Sequence, residues 1–531
     1  MLWLAHARKL ATLPPALRHA RCYSARVKDD SRWPGWDVVV GIEVHAQIKS
    51  RKKLFSDAIT YSGLANVSVS PFDAAFPGTL PRLNPKCVEL GVRTAVALNA
   101  NVQRRSAFDR KHYFYADLPA GYQITQHYAP FATGGQLQLE INDTCVRIKQ
   151  IQLEQDTGKS TFDPRNQESS IDLNRAGVGL MEIVSEPDMR SPEEAGQYVR
   201  ALQALLRAVG SSDGNMEQGS LRCDVNVSVN RRGEPLGTRC EIKNLNSVKF
   251  IMVAITSEVR RQIALLENGG SVLQETRGFN EDKAETYSSR SKEDAPDYRY
   301  MPDPNLPPLL IGETYVSQIR ETMPELPDAT RARLLGLGLS RRDADVLMDV
   351  DSGREVKDDG VLAPGPVAYF DEVSRGRDPK VVVNWITHEL LGQLAFREKA
   401  FSNNPIDAKQ MGELIDLVQS GKITGTAGKT LLRHMLDNCS AEMPAELASE
   451  LSLIADDGAA LRKWCTQAIK ALTQEADVVR GGNVNVVNKI LGHVMKASKG
   501  RADAKAARAM LLKLLKGEER DRPKGEKPGD S

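Results

Sequence analysis

The segment VVVGIEVHAQIKS, Val38 to Ser50, alternates with a period of two. Ile42, Val44, Ala46 and Ile48 fall on one face, and Glu43, His45, Gln47 and Lys49 on the other. The pattern predicts a strand with one face on a core and one polar face. A carboxylate and an imidazole two residues apart then share that polar face. Two readings are open for this segment alone: a solvated sheet surface, or a metal or acid/base site.

Other segments share this grammar. QIQLEQDTGKS puts Gln152, Glu154 and Asp156 on one face, with Ile151 and Leu153 on the other. GLMEIVSEPD carries Glu182 and Glu186 into Pro187. In MEQGSLRCDVNVSVN, Leu221, Cys223, Val225, Val227 and Val229 oppose Arg222, Asp224, Asn226 and Ser228. EIKNLNS adds Lys243, Asn244 and Asn246, and APDYRYMPDPNLPPL sets Arg299 between two tyrosines. Carboxylates with one histidine suit Mg²⁺, which prefers oxygen ligands. Arginine and lysine nearby suit phosphate. Together they fit phosphoryl transfer, in which positioning and charge neutralisation supply most of the catalysis.

At 531 residues the chain calls for two to four domains. Hydrophobic residues at 41% and charged residues at 26% are a globular composition. A net charge of +2 gives no global pull towards nucleic acid or membrane, so any basic patch is local. No run of 18 apolar residues is present, which argues against a membrane span. Seven scattered cysteines without a C-x-x-C pair fit reduced thiols better than a disulfide frame or a zinc site.

The first 28 residues hold Arg8, Lys9, Arg18, Arg21, Arg26 and Lys28 and no acid, and resemble a mitochondrial transit peptide. The fold class expected is α+β. A mixed or antiparallel-sheet cradle covers 36–315, an all-α helical domain 316–403 and an all-α tail domain 404–516, with 517–531 disordered. Inside the cradle, Ser191, Pro192 and Glu194 predict a capping box opening a helix that runs to about Val209. A second helix is predicted from Ser247 to Leu266, stopping at NGG.

Some motifs are missing. DTGKST and GTAGKT fail as P-loops, because Leu153 and Ile423 stand where the first glycine belongs. There is no G-x-S-x-G elbow and no recognisable nucleophile set for releasing nitrogen from glutamine.

GIEVHAQIKS, FDRKHYFYADLPAGYQITQ, EQDTGKS, LMEIVSEPDMRSPEEA, GSLRCDVNVSV, EIKNLNS, DYRYMPDPNLPPL and the late ILGHVMKASKGRAD closely resemble the B subunit of glutamyl-tRNA(Gln) amidotransferases. The resemblance runs in order from about residue 38 to 515. It implies a heterotrimer in which the partners are an amidase and a small third protein. It also implies a cradle that activates the γ-carboxylate of Glu-tRNA(Gln) with ATP and Mg²⁺, and helical domains that hold the tRNA. The missing nitrogen-releasing nucleophile would then belong to another chain.

By the same resemblance, Glu43, His45, Glu154 and Glu182 are the expected metal ligands. Glu154, Asp156, Lys159, Arg222 and Asp224 are candidate catalytic groups and Lys243, Asn244 and Arg299 candidate ATP contacts, with readings left open for Lys159, Arg222, Asp224, Lys243, Asn244 and Arg299: contact with ATP phosphates, contact with the tRNA acceptor end, or structural pairing. Lys496, Lys499 and Arg501 are expected on the tRNA backbone, where basic groups suffice. Two departures stand out, because the family commonly has glutamate where this chain has Gln155 and Gln218. Strand phase puts Gln155 with Leu153, away from the polar face.

Overall fold

The structure is a computed structural model that describes residues 30–60, 63–291, 297–352, 356–360, 365–454, 458–498 and 501–517. The expected transit peptide and nearly all of the expected disordered tail lie outside these residues. The chain divides into two compact units, one up to Pro327 with a return around 356–360, the other from Asp328 onward.

The first unit is built on a mixed sheet. Its elements include β1 (Trp36–Gln47), β2 (Asp109–His112), β3 (Tyr122–Thr125), β4 (Cys145–Gln155), β5 (Gly179–Ser185), β6 (Leu221–Arg231), β7 (Cys240–Leu245), β8 (Glu275–Asn280) and β9 (Glu285–Ser291). The main sheet runs β9-β8-β7-β6-β1-β5-β4, continuing into short strands at Ala132–Thr133 and Asn101–Val102. Only the β7–β8 pair is parallel among its pairings. β1 therefore lies between β5 and β6, and its alternation is read directly: Ile42, Val44 and Ala46 are buried, while Glu43, His45 and Gln47 are half-buried. The hairpin β2–β3 forms a separate three-stranded sheet with Met301–Pro302.

Two of the helices in this core pack against each other. Helix α1 (Pro192–Ala208) opens as predicted, with Ser191 Oγ accepting from Glu194 N at 3.2 Å. The Glu194 carboxylate reaches one residue further back than a capping box requires and accepts from Arg190 N. Helix α2 (Val248–Glu267) is capped by Ser247 and stops at Asn268. Gly196 lets α1 and α2 approach closely, since a Cβ there would sit 2.7 Å from Met252 Sδ. Tyr198, Leu202 and Leu206 of α1 join Ile251, Ile255 and Val259 of α2 and Val38, Val40, Ile42 and Val44 of β1 in one cluster. Each such fully buried side chain contributes about 1.5–3 kcal/mol.

The second unit is helical, with two cores. One runs from Leu334 to Leu453, the other from Cys465 to Leu515. The hydrophobic clusters thus divide the chain differently from the boundaries expected at 315/316 and 403/404. Ile319 belongs to the sheet's core. Leu394 lies in the same cluster as Ile406, Met411 and Leu414. Asn403-Asn404-Pro405 is a tight turn between packed helices: the Asn404 side chain bonds both N and O of Ile406. Tyr369 packs edge-on against Phe401, and Arg397 pairs with Asp437 across the turn at 2.6 Å. No helix among the described residues is long and apolar enough to cross a membrane.

Candidate active site

Strand register assembles the site. His45 faces Glu182 on β5 and Arg222 on β6, and Glu182 faces Gln152 on β4. One row along, Glu43 faces Val184 and Asp224. Glu154 lies opposite Leu180, the next site-facing position of β5. Four strands thus place five possible ligands on one surface, each by the period-two alternation of its own segment.

His45 Nε2 is 3.2 Å from Glu43 Oε1. The ligating atoms of Glu43, His45 and Asp224 lie within 4.8 Å of one another, and so do those of His45, Glu154 and Glu182. His45 is common to both sets. Burial pushes the Glu182 carboxyl well up, and the charges of Glu154 and Glu43 push it further. Burial also acts to raise Glu43, but hydrogen bonds with His45 and Glu182 outweigh it and hold Glu43 below the usual carboxylate range. Buried carboxylates this close cannot all ionise without a compensating positive charge. Glu154 Oε2 is buried and has no hydrogen-bond partner. An oxygen-rich set with one imidazole and a buried carboxylate oxygen without a hydrogen bond fits a divalent cation.

Two cavities meet at this row, one of about 520 Å³ and one of about 420 Å³. Both are ligand-sized. The larger is walled by His45, Tyr113, Gln123, Glu154, Arg222 and Asp224. The smaller is walled by Glu182, His127, Lys149, Arg239, Tyr298 and Tyr300. Glu43, Lys111 and Lys243 line both. The Lys111 ammonium lies 5.2 Å from the Tyr298 ring centroid and 4.0 Å from Glu154 Oε2. Burial acts to lower its pKa, but the charges of Glu154 and Glu182 outweigh this and hold it above the usual lysine value. A charged lysine, a charged Lys243 and the carboxylates therefore share the junction of two chambers.

Residues 38–317 match the family model described as the GatB/GatE catalytic domain, and residues 368–515 match the one described as the GatB domain. The chain belongs to the GatB family. The B subunit of the mitochondrial glutamyl-tRNA(Gln) amidotransferase of Laccaria bicolor is 58% identical over 94% of this chain and 96% of its own length. Its namesake in Cryptococcus neoformans is 47% identical over 94% and 97%. The B subunit of the aspartyl/glutamyl-tRNA(Asn/Gln) amidotransferase of Rhodospirillum rubrum is 45% identical over 91% and 97%.

Within this GatB chain the expected ligands Glu43, His45, Glu154 and Glu182 converge, and Asp224 of β6 joins them as a carboxylate bonded to Lys243 Nζ at 2.8 Å. Asp156 is buried, and its carboxylate accepts from Gln47 at 3.1 Å, Arg222 at 2.8 Å and Thr157 N at 2.9 Å. Gln47 and Arg222 share its Oδ2, so the carboxylate holds Arg222 in place. Lys159 is exposed, opposite Asp172 at the start of a separate hairpin, and lines neither cavity. Arg299 is also outside. It is exposed, with φ +42°, and lies 3.7 Å from Asp297, while its neighbours Tyr298 and Tyr300 turn into the smaller cavity. The side chain of Asn244 and all of Lys499 lie outside the described residues.

Gln155 pairs with Gly179 and accepts from Ile124 N, so it faces away from the ligand cluster as its phase requires. Gln218 lines the larger cavity. Lys496 is exposed in the last turn of the helix Val487–Ala497. Arg501 is engaged: Nε donates to Ser498 O at 3.2 Å and the guanidinium lies 5.1 Å from the Trp464 ring centroid.

Sequence reasoning missed Lys111, Tyr113 and Gln123. The signal was the alternation in DRKHYFY, where Lys111 and Tyr113 share a face and His112 turns away to Arg299 O at 3.1 Å. What hid it is that the hairpin belongs to a different sheet, whose placement over β4 no local pattern encodes.

Proposed function

We propose that this chain is the B subunit of a mitochondrial heterotrimeric amidotransferase, a carbon–nitrogen ligase that converts Glu-tRNA(Gln) to Gln-tRNA(Gln). The observation that carries the reading is the junction of two ligand-sized cavities at Glu43, His45, Glu154, Glu182 and Asp224, flanked by Lys111 and Lys243. Two chambers suit two substrates, a nucleotide and an aminoacyl end, that must exchange a phosphoryl group. ATP phosphorylates the γ-carboxylate, and ammonia from a partner amidase displaces the phosphate. Glu43, His45, Glu154, Glu182 and Asp224 would hold Mg²⁺, which would neutralise phosphate charge. Lys111 and Lys243 face both chambers and offer cations to the transferring group. Arg222, held by Asp156, points a second donor set into the larger chamber. The partners are an amidase, a small third protein and the charged tRNA, which the helical unit helps to bind. Residues 1–28 serve as the import sequence, and N-terminal sequencing of the organelle protein tests that assignment.

The chain co-expressed with its partners should amidate Glu-tRNA(Gln) with ATP, Mg²⁺ and glutamine. Glutamine hydrolysis without tRNA amidation, in a complex that binds tRNA normally, would show a scaffold instead.

A further inference from the structure

Gln123 and Gln152 are buried beside the acidic cluster, and neither is a metal ligand or a titratable group. The hairpin β2–β3 and strand β4 belong to different sheets, and side-chain amides join them. Leu153 N donates to Gln126 Oε1 at 3.1 Å, and Ile124 N donates to Gln155 Oε1 at 3.4 Å. At the same seam, Gln123 Nε2 donates to Glu154 Oε1 at 2.9 Å and to Gln155 O. Gln152 Nε2 donates to Glu182 Oε2 and to Thr125 Oγ1.

Each amide is oriented by a partner at both ends. The Glu154 carboxylate accepts from the Gln123 NH₂ and the Glu182 carboxyl accepts from the Gln152 NH₂, so each amide oxygen is left to face a donor. That donor is present in both cases: Tyr113 O–H donates to Gln123 Oε1 at 3.0 Å, and Gln150 Nε2 donates to Gln152 Oε1 at 2.6 Å. Each glutamine therefore sits in a polarised chain that ends on one oxygen of one carboxylate. Glu154 is left with Oε2 buried and without a hydrogen bond, next to His45 and Glu182 and 4.0 Å from Lys111 Nζ.

We infer that Gln123 and Gln152 are positioning residues: each ties down one oxygen of Glu154 or Glu182 and so fixes where its other oxygen sits in the cluster that would hold a divalent cation. The inference rests on the metal reading under Proposed function. Gln126 and Gln155 supply the comparison, since they bond the same seam through backbone N–H groups and touch no carboxylate.

The test is Mn²⁺ binding to the purified complex, followed by electron paramagnetic resonance without ATP or tRNA, with Tm measured in parallel. Gln123→Met and Gln152→Met keep the length and remove the donor. Each should weaken Mn²⁺ by about 10–100-fold, the usual effect of removing a group that orients a metal ligand. Gln155→Met should lower Tm and leave Mn²⁺ affinity unchanged. Because the two glutamines serve different carboxylates, either variant reports if the other fails to fold. Wild-type Mn²⁺ affinity in both donor variants would overturn the positioning role and leave the metal reading intact. Equal losses in Gln155→Met and Gln123→Met would overturn it too, since the seam alone would then be at work. A wild-type complex that binds no Mn²⁺ would remove the metal reading and this inference together.

Discussion

His45 Nε2 lies 3.2 Å from Glu43 Oε1, a contact made along one strand face and not across two strands. Residues two apart on a strand are about 6.6 Å apart along the backbone, so both side chains must lean towards each other. The lean brings His45 within ligand reach of Glu154 and Glu182 on one side and Asp224 on the other. His45→Ala removes the one group common to both sets and should spare Tm, since the imidazole is half-buried on the polar face. Amidation should fall by more than the roughly 10–100-fold typical of an outer partner, with a higher Mg²⁺ requirement. Glu43→Gln should behave alike. Wild-type rates at low Mg²⁺ in both variants would mean that the strand face is merely solvated.

Asp156→Asn should separate structure from chemistry. The carboxylate serves three donors and holds Arg222, so its loss should cost about 1.5–3 kcal/mol, the range for hydrogen bonds to charged groups. Tm should fall, and the amidation rate should fall without any change in Mg²⁺ requirement. A normal Tm with an altered Mg²⁺ requirement would instead make Asp156 a ligand.

The ligand strands were legible because each carries its polar face in its own alternation. Glu43, His45, Glu154 and Glu182 needed only a period of two and antiparallel neighbours to converge. Lys159 and Arg299 line neither cavity because the alternation ends before them. Lys159 follows the turn at Gly158, and Arg299 has a left-handed backbone that turns it out while Tyr298 and Tyr300 turn in. The hydrophobic clusters cross the expected domain limits for a related reason. Asn-Asn-Pro announces a turn, but only the packing of Leu394 with Ile406 and Met411 shows that the core continues through it.

That continuity is testable by truncation. A chain ending at residue 403 cuts through the Leu334–Leu453 core and should aggregate. A chain ending at residue 454 keeps that core whole and loses only the Cys465–Leu515 cluster. It should stay soluble and unfold cooperatively by calorimetry. Equal solubility of the two would show that the helices after 404 fold independently.

Glu258 gives a pH signature away from the site. Its carboxylate is fully buried and meets Arg277 Nε at 3.0 Å, Arg261 Nη2 at 2.6 Å and Gln262 Nε2 at 2.8 Å. Burial acts to raise its pKa, but the bonds from Arg261 and Gln262 outweigh this and leave it lowered. A lowered folded pKa means that the stabilisation is present above the unfolded value of about 4.3 and is lost as pH falls through the folded one. The stability gap between wild type and Glu258→Gln should be constant from pH 7 to about pH 5 and shrink below that. Urea melts across this range would contradict the assignment if the gap stayed constant down to pH 3.

Lys496 and Arg501 were both expected on tRNA phosphates, and the structure gives them different surroundings. Lys496 is exposed at a helix end. Arg501 lies over Trp464 and closes the turn through Ser498 O, so its guanidinium is part of the packing of the last core. Lys496→Ala should leave Tm unchanged, weaken tRNA binding and reduce the slope of log affinity against log salt by about one. Arg501→Lys keeps the charge but loses the planar stack and the fixed Nε donor. If Arg501 acts chiefly through packing, that variant should lower Tm and weaken tRNA binding without changing the salt slope. A change of slope in Arg501→Lys with Tm unaltered would place its guanidinium on a phosphate after all. A flat slope in Lys496→Ala would remove that lysine from the RNA surface.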